Sequence, residues 1–164
     1  NEDIGGWDSS KVKWMERTFE RCVDFNHPLV WDTSKVKSLY GTFANTEAFS
    51  QPLAWDTSSV TRMENTFWGF PGSSGFDGDI GGWDVSKVTT MKKMFSASSF
   101  NQPIGDWDVS SVANMMQMFG PAFNQRIDSW DVAKVPYNDD CQRQRTYASF
   151  TGPHSYWSSA VCPS

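Results

Sequence analysis

The sequence predicts an α/β solenoid, with a parallel sheet of short strands on one side and two-turn helices on the other. Three observations predict it. The pair Trp-Asp recurs at 7, 31, 55, 83, 107 and 130, separated by 24, 24, 28, 24 and 23 residues. Each pair heads the same apolar series: a Val five residues on (Val12, Val36, Val60, Val88, Val112, Val135), and in the first five copies a Met or Leu three later and a Phe four beyond that. A period near 24 residues lies in the range of stacked repeat units. Finally, no unit contains enough chain to fold alone, because a two-turn helix is marginal in water and becomes stable only by burying its apolar face against neighbours.

The fifth unit, "FNQPIGDWDVSSVANMMQMF", residues 100–119, shows each element in order. Ile104, Trp107 and Val109 have the rhythm of a short strand, with Trp107 and Val109 on one face and Asp108 on the other. Ser110 and Ser111 offer N-cap side chains. Val112, Met115, Met116 and Phe119 then lie at i, i+3, i+4 and i+7, one stripe of a two-turn helix. Phe123 and Ile127 lead into the next strand. Five to six such strand–helix units occupy residues 1–135, and residues 136–164 drop the pattern. Pro136 stands where the sixth helix would continue and ends the array. Tyr147, Phe150, Tyr156 and Trp157 supply apolar cover, so 136–164 is expected to be a C-terminal cap over the last unit. The chain opens inside a repeat, at Asp3-Ile4-Gly5-Gly6-Trp7, which suggests a processed protein or a piece of a larger one.

The fifth-unit phrase and its relatives at 4–19, 25–43, 49–67 and 76–95 resemble the BspA-like leucine-rich repeat of surface proteins. More narrowly, they resemble the Trp-Asp-x-Ser-x-Val-x-x-Met-x-x-Met-Phe variety known from mycoplasma surface lipoproteins. The resemblance covers about residues 3–135. It implies a leucine-rich-repeat-type solenoid, extracellular or cell-surface placement, and adhesion or protein binding. It implies no catalytic residues.

Composition narrows the function classes. A formal charge of −5 with no basic run gives a nucleic-acid partner nothing to hold. No apolar stretch is long enough to span a bilayer. Nine Trp and twelve Phe compensate for a hydrophobic fraction of 38% and argue against disorder. His27 and His154 stand alone, outside any metal-like or nucleophile-like spacing, and no glycine-rich phosphate loop occurs. No enzyme activity and no cofactor are therefore expected. Of three cysteines, Cys141 and Cys162 are spaced to close a loop of about twenty residues, worth roughly 3 kcal/mol as a disulfide, which would fit an oxidising compartment. Cys22 is left over, a small buried residue in its plainest reading.

Two features are candidates for function. The first is the column Asp8, Asp32, Asp56, Asp84, Asp108 and Asp131. Stacked carboxylates about 5 Å apart repel by near 1 kcal/mol per pair even in a water-like dielectric, so compensation is required. Each Asp could cap the following helix, which is the favoured reading. Alternatively Asp56, Asp84 and Asp108 bind a partner's basic groups, or Asp84 and Asp108 hold Ca²⁺, although the motif lacks the alternating oxygen ligands of a calcium loop. The second is "WGFPGSSGF", 68–76, which lengthens the interval between Trp55 and Trp83. Trp68 and Phe70 there are large apolar residues on a loop, and aromatic residues are favoured at binding hot spots; folding back as a lid over the core is the equal alternative. Small polar residues after each unit-opening Phe (Asn26, Ser50, Asp77, Asn101, Asn124) read as a ladder bridging adjacent turns. The sequence thus points to a non-enzymatic recognition or adhesion module for a protein or glycan partner. The alternative is a structural subunit that self-assembles through its exposed N-terminal repeat.

Overall fold

The Asp-x-Ser-x-Val segment folds into a tight turn. The Val N–H donates to the carbonyl three residues earlier in every copy, from Val12 to Ser9 at 2.8 Å through Val135 to Val132 at 2.9 Å. The computed structural model describes residues 2–70 and 75–135. Within them the chain forms six stacked rungs, which we number one to six by their Trp-Asp pairs. Each lies on the next in parallel. The rungs touch through isolated bridges at the residue seven after Trp: Trp14 to Ser38, Ser38 to Arg62, Arg62 to Thr90, and Thr90 to Asn114, with a further bridge from Phe95 to Phe119.

The strand–helix unit is overturned. No helix and no strand longer than these bridges occurs among the described residues, so the expected leucine-rich-repeat solenoid of sheet and helices is not what the chain adopts. The stretch read as a strand opens instead on a turn, in which Trp107 N–H donates to Ile104 O at 3.2 Å, as Trp83 does to Ile80 at 3.1 Å. The stretch read as a helix is a ribbon of consecutive turns. In rung one, Thr18, Glu20 and Cys22 donate to Met15, Arg17 and Phe19, three residues back, while Met15, Arg17, Phe19 and Arg21 donate to Ser38, Tyr40, Thr42 and Ala44 of the next rung. Donors therefore alternate between the rung and its neighbour. A helix would keep every donor within its own segment.

The alternation requires an alternating backbone. Arg17, Gly41, Asn65, Lys93 and Gln117, each two residues after the Met or Leu, have φ between +54° and +61°. Arg21, Asn45 and Ala97 repeat this four residues later, at +62°, +56° and +59°. Left-handed φ disfavours L-residues by about 1–2 kcal/mol, and the cross-rung hydrogen bonds and buried rings offset it. The inward side chains still recur at three- and four-residue steps. Val88, Met91, Met94 and Phe95 are all buried, so the period read from the sequence is real although the backbone beneath it is not helical.

Three aromatic columns run along the stack. Phe19, Phe43, Phe67, Phe95 and Phe119 stack at 5.2 to 5.9 Å between centroids. Phe25, Phe49, Phe76, Phe100 and Phe123 do so at 5.8 to 6.1 Å. Within a rung the two columns touch, closest at 3.7 Å for Phe67 and Phe76. The Trp column has centroids 6.4 to 6.5 Å apart and near-parallel planes, as in Trp55 on Trp83. With a rung rise of about 4.8 Å, that spacing slides each Trp sideways by about 4 Å, the offset geometry aromatic quadrupoles prefer. The offset also lets each indole N–H reach the previous rung: Trp55 to Leu29 O at 3.0 Å, Trp83 to Leu53 O at 2.8 Å. Buried Thr42 and Thr66 hydroxyls lie against carbonyls of their own and the preceding rung.

Candidate functional site

Each Asp of the repeated pair is exposed and organises its own turn. Oδ1 accepts the N–H of the residue two on at 3.0 Å, in Asp8, Asp32, Asp56, Asp84, Asp108 and Asp131 alike. Where that residue is Ser10, Ser34 or Ser86, its hydroxyl donates to the same oxygen at 2.6 or 2.7 Å. The Asp therefore caps a turn; the expected helix to cap is absent. The Ser hydroxyl first and the Ser amide second hold the carboxyls of Asp8, Asp32, Asp56, Asp84 and Asp108 below the ordinary carboxylate value. Repulsion from neighbouring Asp acts the other way on Asp56 and is the weaker influence. Lysines also temper the column: Lys35 Nζ reaches back to Ser10 O at 2.9 Å, Lys87 Nζ to Ser58 O at 2.8 Å, and Lys35 and Lys87 attract Asp32 and Asp84.

Asp84 and Asp108, weighed for Ca²⁺, belong to no larger set of ligands. Among the described residues no group of three or more His, Cys, Asp or Glu could hold a metal ion. The polar ladder is present: Asn26 Oδ1 accepts Ser50 N–H at 3.1 Å, Ser50 Oγ accepts Asp77 N–H at 3.1 Å, Asp77 Oδ1 accepts Asn101 N–H at 2.8 Å, and Asn101 Oδ1 accepts Asn124 N–H at 2.9 Å.

At the long interval, Trp68 is half-buried and Phe70 is 53% exposed. Their rings meet edge-on at 5.1 Å and 60°. Two bonds from rung two hold them: Asn45 N–H donates to Trp68 O at 2.7 Å, and Phe70 N–H donates to Asn45 Oδ1 at 3.1 Å. Residues 71–74 of that loop lie outside the described residues, as do the proposed cap 136–164 and the Cys141–Cys162 pair. Cys22 is exposed and free, contrary to its expected burial. No helix among the described residues is long and apolar enough to cross a membrane.

A cluster on the outer side of the turn ribbons gave no signal at the level of motifs. Tyr40 lies between two guanidinium groups, Arg17 at 5.2 Å from its ring centroid and Arg62 at 4.3 Å. Arg17 also donates to the Tyr40 hydroxyl at 3.2 Å. Arg62 pairs with Glu64 and, at 3.5 Å, with Glu16, which accepts from the Ser38 hydroxyl at 2.8 Å. These residues come from three rungs, and only the stacking register brings them together.

Comparison with protein families gives two matches to one family model, described as "Mycoplasma protein of unknown function, DUF285", over residues 1–70 and 53–157. The chain belongs to the DUF285 family. The two matches overlap at rung three, as expected when the family's own pattern is a repeat that can be laid on the rungs in more than one place. Comparison of this DUF285 chain with curated proteins and with solved structures returns no match.

Proposed function

We propose that this chain is a non-enzymatic recognition or adhesion module, working extracellularly or at a cell surface and binding a protein or glycan partner. The observation that carries the reading is the Trp68–Phe70 pair. A large ring left half exposed at the one lengthened interval, with its amide fixed by Asn45, is a preformed apolar contact. A fixed contact saves the ordering entropy that weakens flexible binders. Placement at the cell surface rests on the resemblance of the repeat to that of BspA-like and mycoplasma surface proteins. The test is a side-by-side screen of the wild-type chain and a Trp68→Ala/Phe70→Ala variant on immobilised glycans and extracellular proteins. Saturable binding that the variant loses is expected. A wild type that binds nothing saturably, or a variant that binds equally well, would overturn the reading.

A further inference from the structure

Six copies of one motif in a single chain allow positions to be compared rung by rung. The repeated Trp is followed by Asp in all six, and the inward Val and Phe recur almost without exception. The outward positions of the turn ribbon do not. At the bridge position the rungs carry Trp14, Ser38, Arg62, Thr90 and Asn114, and two residues on they carry Glu16, Tyr40, Glu64, Lys92 and Met116; of these ten only Ser38 is buried. A position that a stack needs for its own folding is filled alike in each rung, as Asp is. The outward ribbon positions are under no such demand and hold a set of residues that differs from rung to rung.

Charge distinguishes the same face. The ribbon segments 13–22, 37–46, 61–70, 89–98 and 113–122 carry seven basic and three acidic residues, net +4, while the rest of the described chain is net −9. The three acids are engaged by two arginines, Glu20 by Arg17, and Glu16 and Glu64 by Arg62. Lys13, Arg21, Lys37, Lys92 and Lys93 make no ion pair among the described residues. A mildly acidic protein thus has one net-basic side; Lys11, Lys35, Lys87 and Lys134, also without an ion pair among the described residues, lie in the acidic remainder.

We propose that the turn-ribbon face binds an extended anionic polysaccharide, with Lys37 and Lys92 meeting its carboxylate or sulfate groups. This rests on the recognition reading but assigns it a surface other than the 68–70 loop. The geometry favours a glycan over an acidic peptide. In the inner rungs every second ribbon amide donates to the next rung, for example Gly41 to Glu64 and Asn65 to Lys92, so each inner rung is flanked on both sides and presents no open strand edge to a peptide main chain. What the face does offer is unpaired cations on rungs one, two and four along the stacking axis, which suits a linear chain carrying charge along its length.

The test is calorimetric titration of the full chain with an oligogalacturonate, a neutral cello-oligosaccharide, polyglutamate and single-stranded DNA. The comparison variant is Lys37→Glu/Lys92→Glu, whose residues take part in no ion pair among the described residues, with retention of the wild-type melting temperature as the folding control. Saturable oligogalacturonate binding is expected, weakened about tenfold or more by the variant and falling as salt is raised. No oligogalacturonate binding, or binding the variant leaves intact, would overturn the proposal. Cello-oligosaccharide binding as tight as oligogalacturonate binding would overturn the role of charge. Polyglutamate or DNA binding equally tightly through the same lysines would overturn the glycan assignment. A partner lost only in Trp68→Ala/Phe70→Ala would leave the recognition reading standing and remove this one.

Discussion

Replacing Lys93 by glycine and, separately, by valine distinguishes a turn ribbon from a helix by the sign of one difference. Lys93 has φ of +56° and its N–H donates to Met116 O at 2.9 Å. A side chain at such φ costs about 1–2 kcal/mol. Glycine escapes that cost but loses about 0.5–1 kcal/mol more backbone entropy on folding. Lys93→Gly is therefore expected to leave stability unchanged or raise it by up to about 1 kcal/mol. Valine is β-branched and fits this region worse than lysine, by about 1 kcal/mol or more. The glycine variant should then melt about 4–8 °C above the valine variant, a gap of about 2 kcal/mol in a chain of this size. In a helix the order reverses, because glycine is the poorer helix former by a few tenths of a kcal/mol. Thermal melts of the two proteins followed by near-UV circular dichroism would decide it. A valine variant as stable as the glycine variant, or more so, would refute the ribbon.

Three further outcomes follow from the packing. Phe67 is fully buried and touches the rings of Phe43 at 5.5 Å, Phe76 at 3.7 Å, Phe95 at 5.6 Å and Trp83 at 6.0 Å. Phe67→Ala should cost about 3–5 kcal/mol in urea unfolding, and a loss under about 1 kcal/mol would count against continuous ring columns. Asn101→Ala removes the acceptor for Asn124 N–H and should cost about 1 kcal/mol, read from the same unfolding curves; no change would mean that the ladder is idle. The Asp turns make stability depend on pH. The carboxyls of Asp8, Asp32, Asp56, Asp84 and Asp108 are lowered in the fold by their Ser partners, so below the ordinary carboxylate value the unfolded chain binds more protons than the folded one. Their contribution is complete above about pH 4 and is lost as pH falls through the lowered folded values. The urea midpoint should drop as pH falls below about 4, and Asp84→Asn should make that drop shallower; a variant with an unchanged pH profile would contradict the turn-capping role.

Much of the interior was legible in the sequence. The recurrence of Trp, Val, Met and Phe marks the residues that face inward, because a stack must present the same apolar surface at each level. The small polar residues after each unit-opening Phe were legible for the same reason, since a rung edge needs a side chain to satisfy the next backbone amide. The backbone conformation was not legible. Steps of three and four place Met91, Met94 and Phe95 on one side of a helix, and equally on one side of a run of turns, so periodicity cannot separate them. The signal that could have done so is the left-handed position, and only Gly41, Asn45 and Asn65 advertise it; Arg17, Arg21, Lys93, Ala97 and Gln117 adopt it without any preference for it. The Arg17–Tyr40–Arg62 cluster was hidden because its members share no motif. Lining up the outward residues of successive rungs, instead of the repeated ones, would have exposed it.

In rungs one to four the segment after the Val bonds to the next rung as well as turning on itself, and hydrogen-bond scalar couplings in an isotope-labelled sample test this most directly. A coupling is expected between the Phe67 amide nitrogen and the Met94 carbonyl carbon, across the 2.9 Å bond that joins rungs three and four. A coupling from Phe67 to the carbonyl of Met63, four residues back as in a helix, would contradict the stacked-turn architecture.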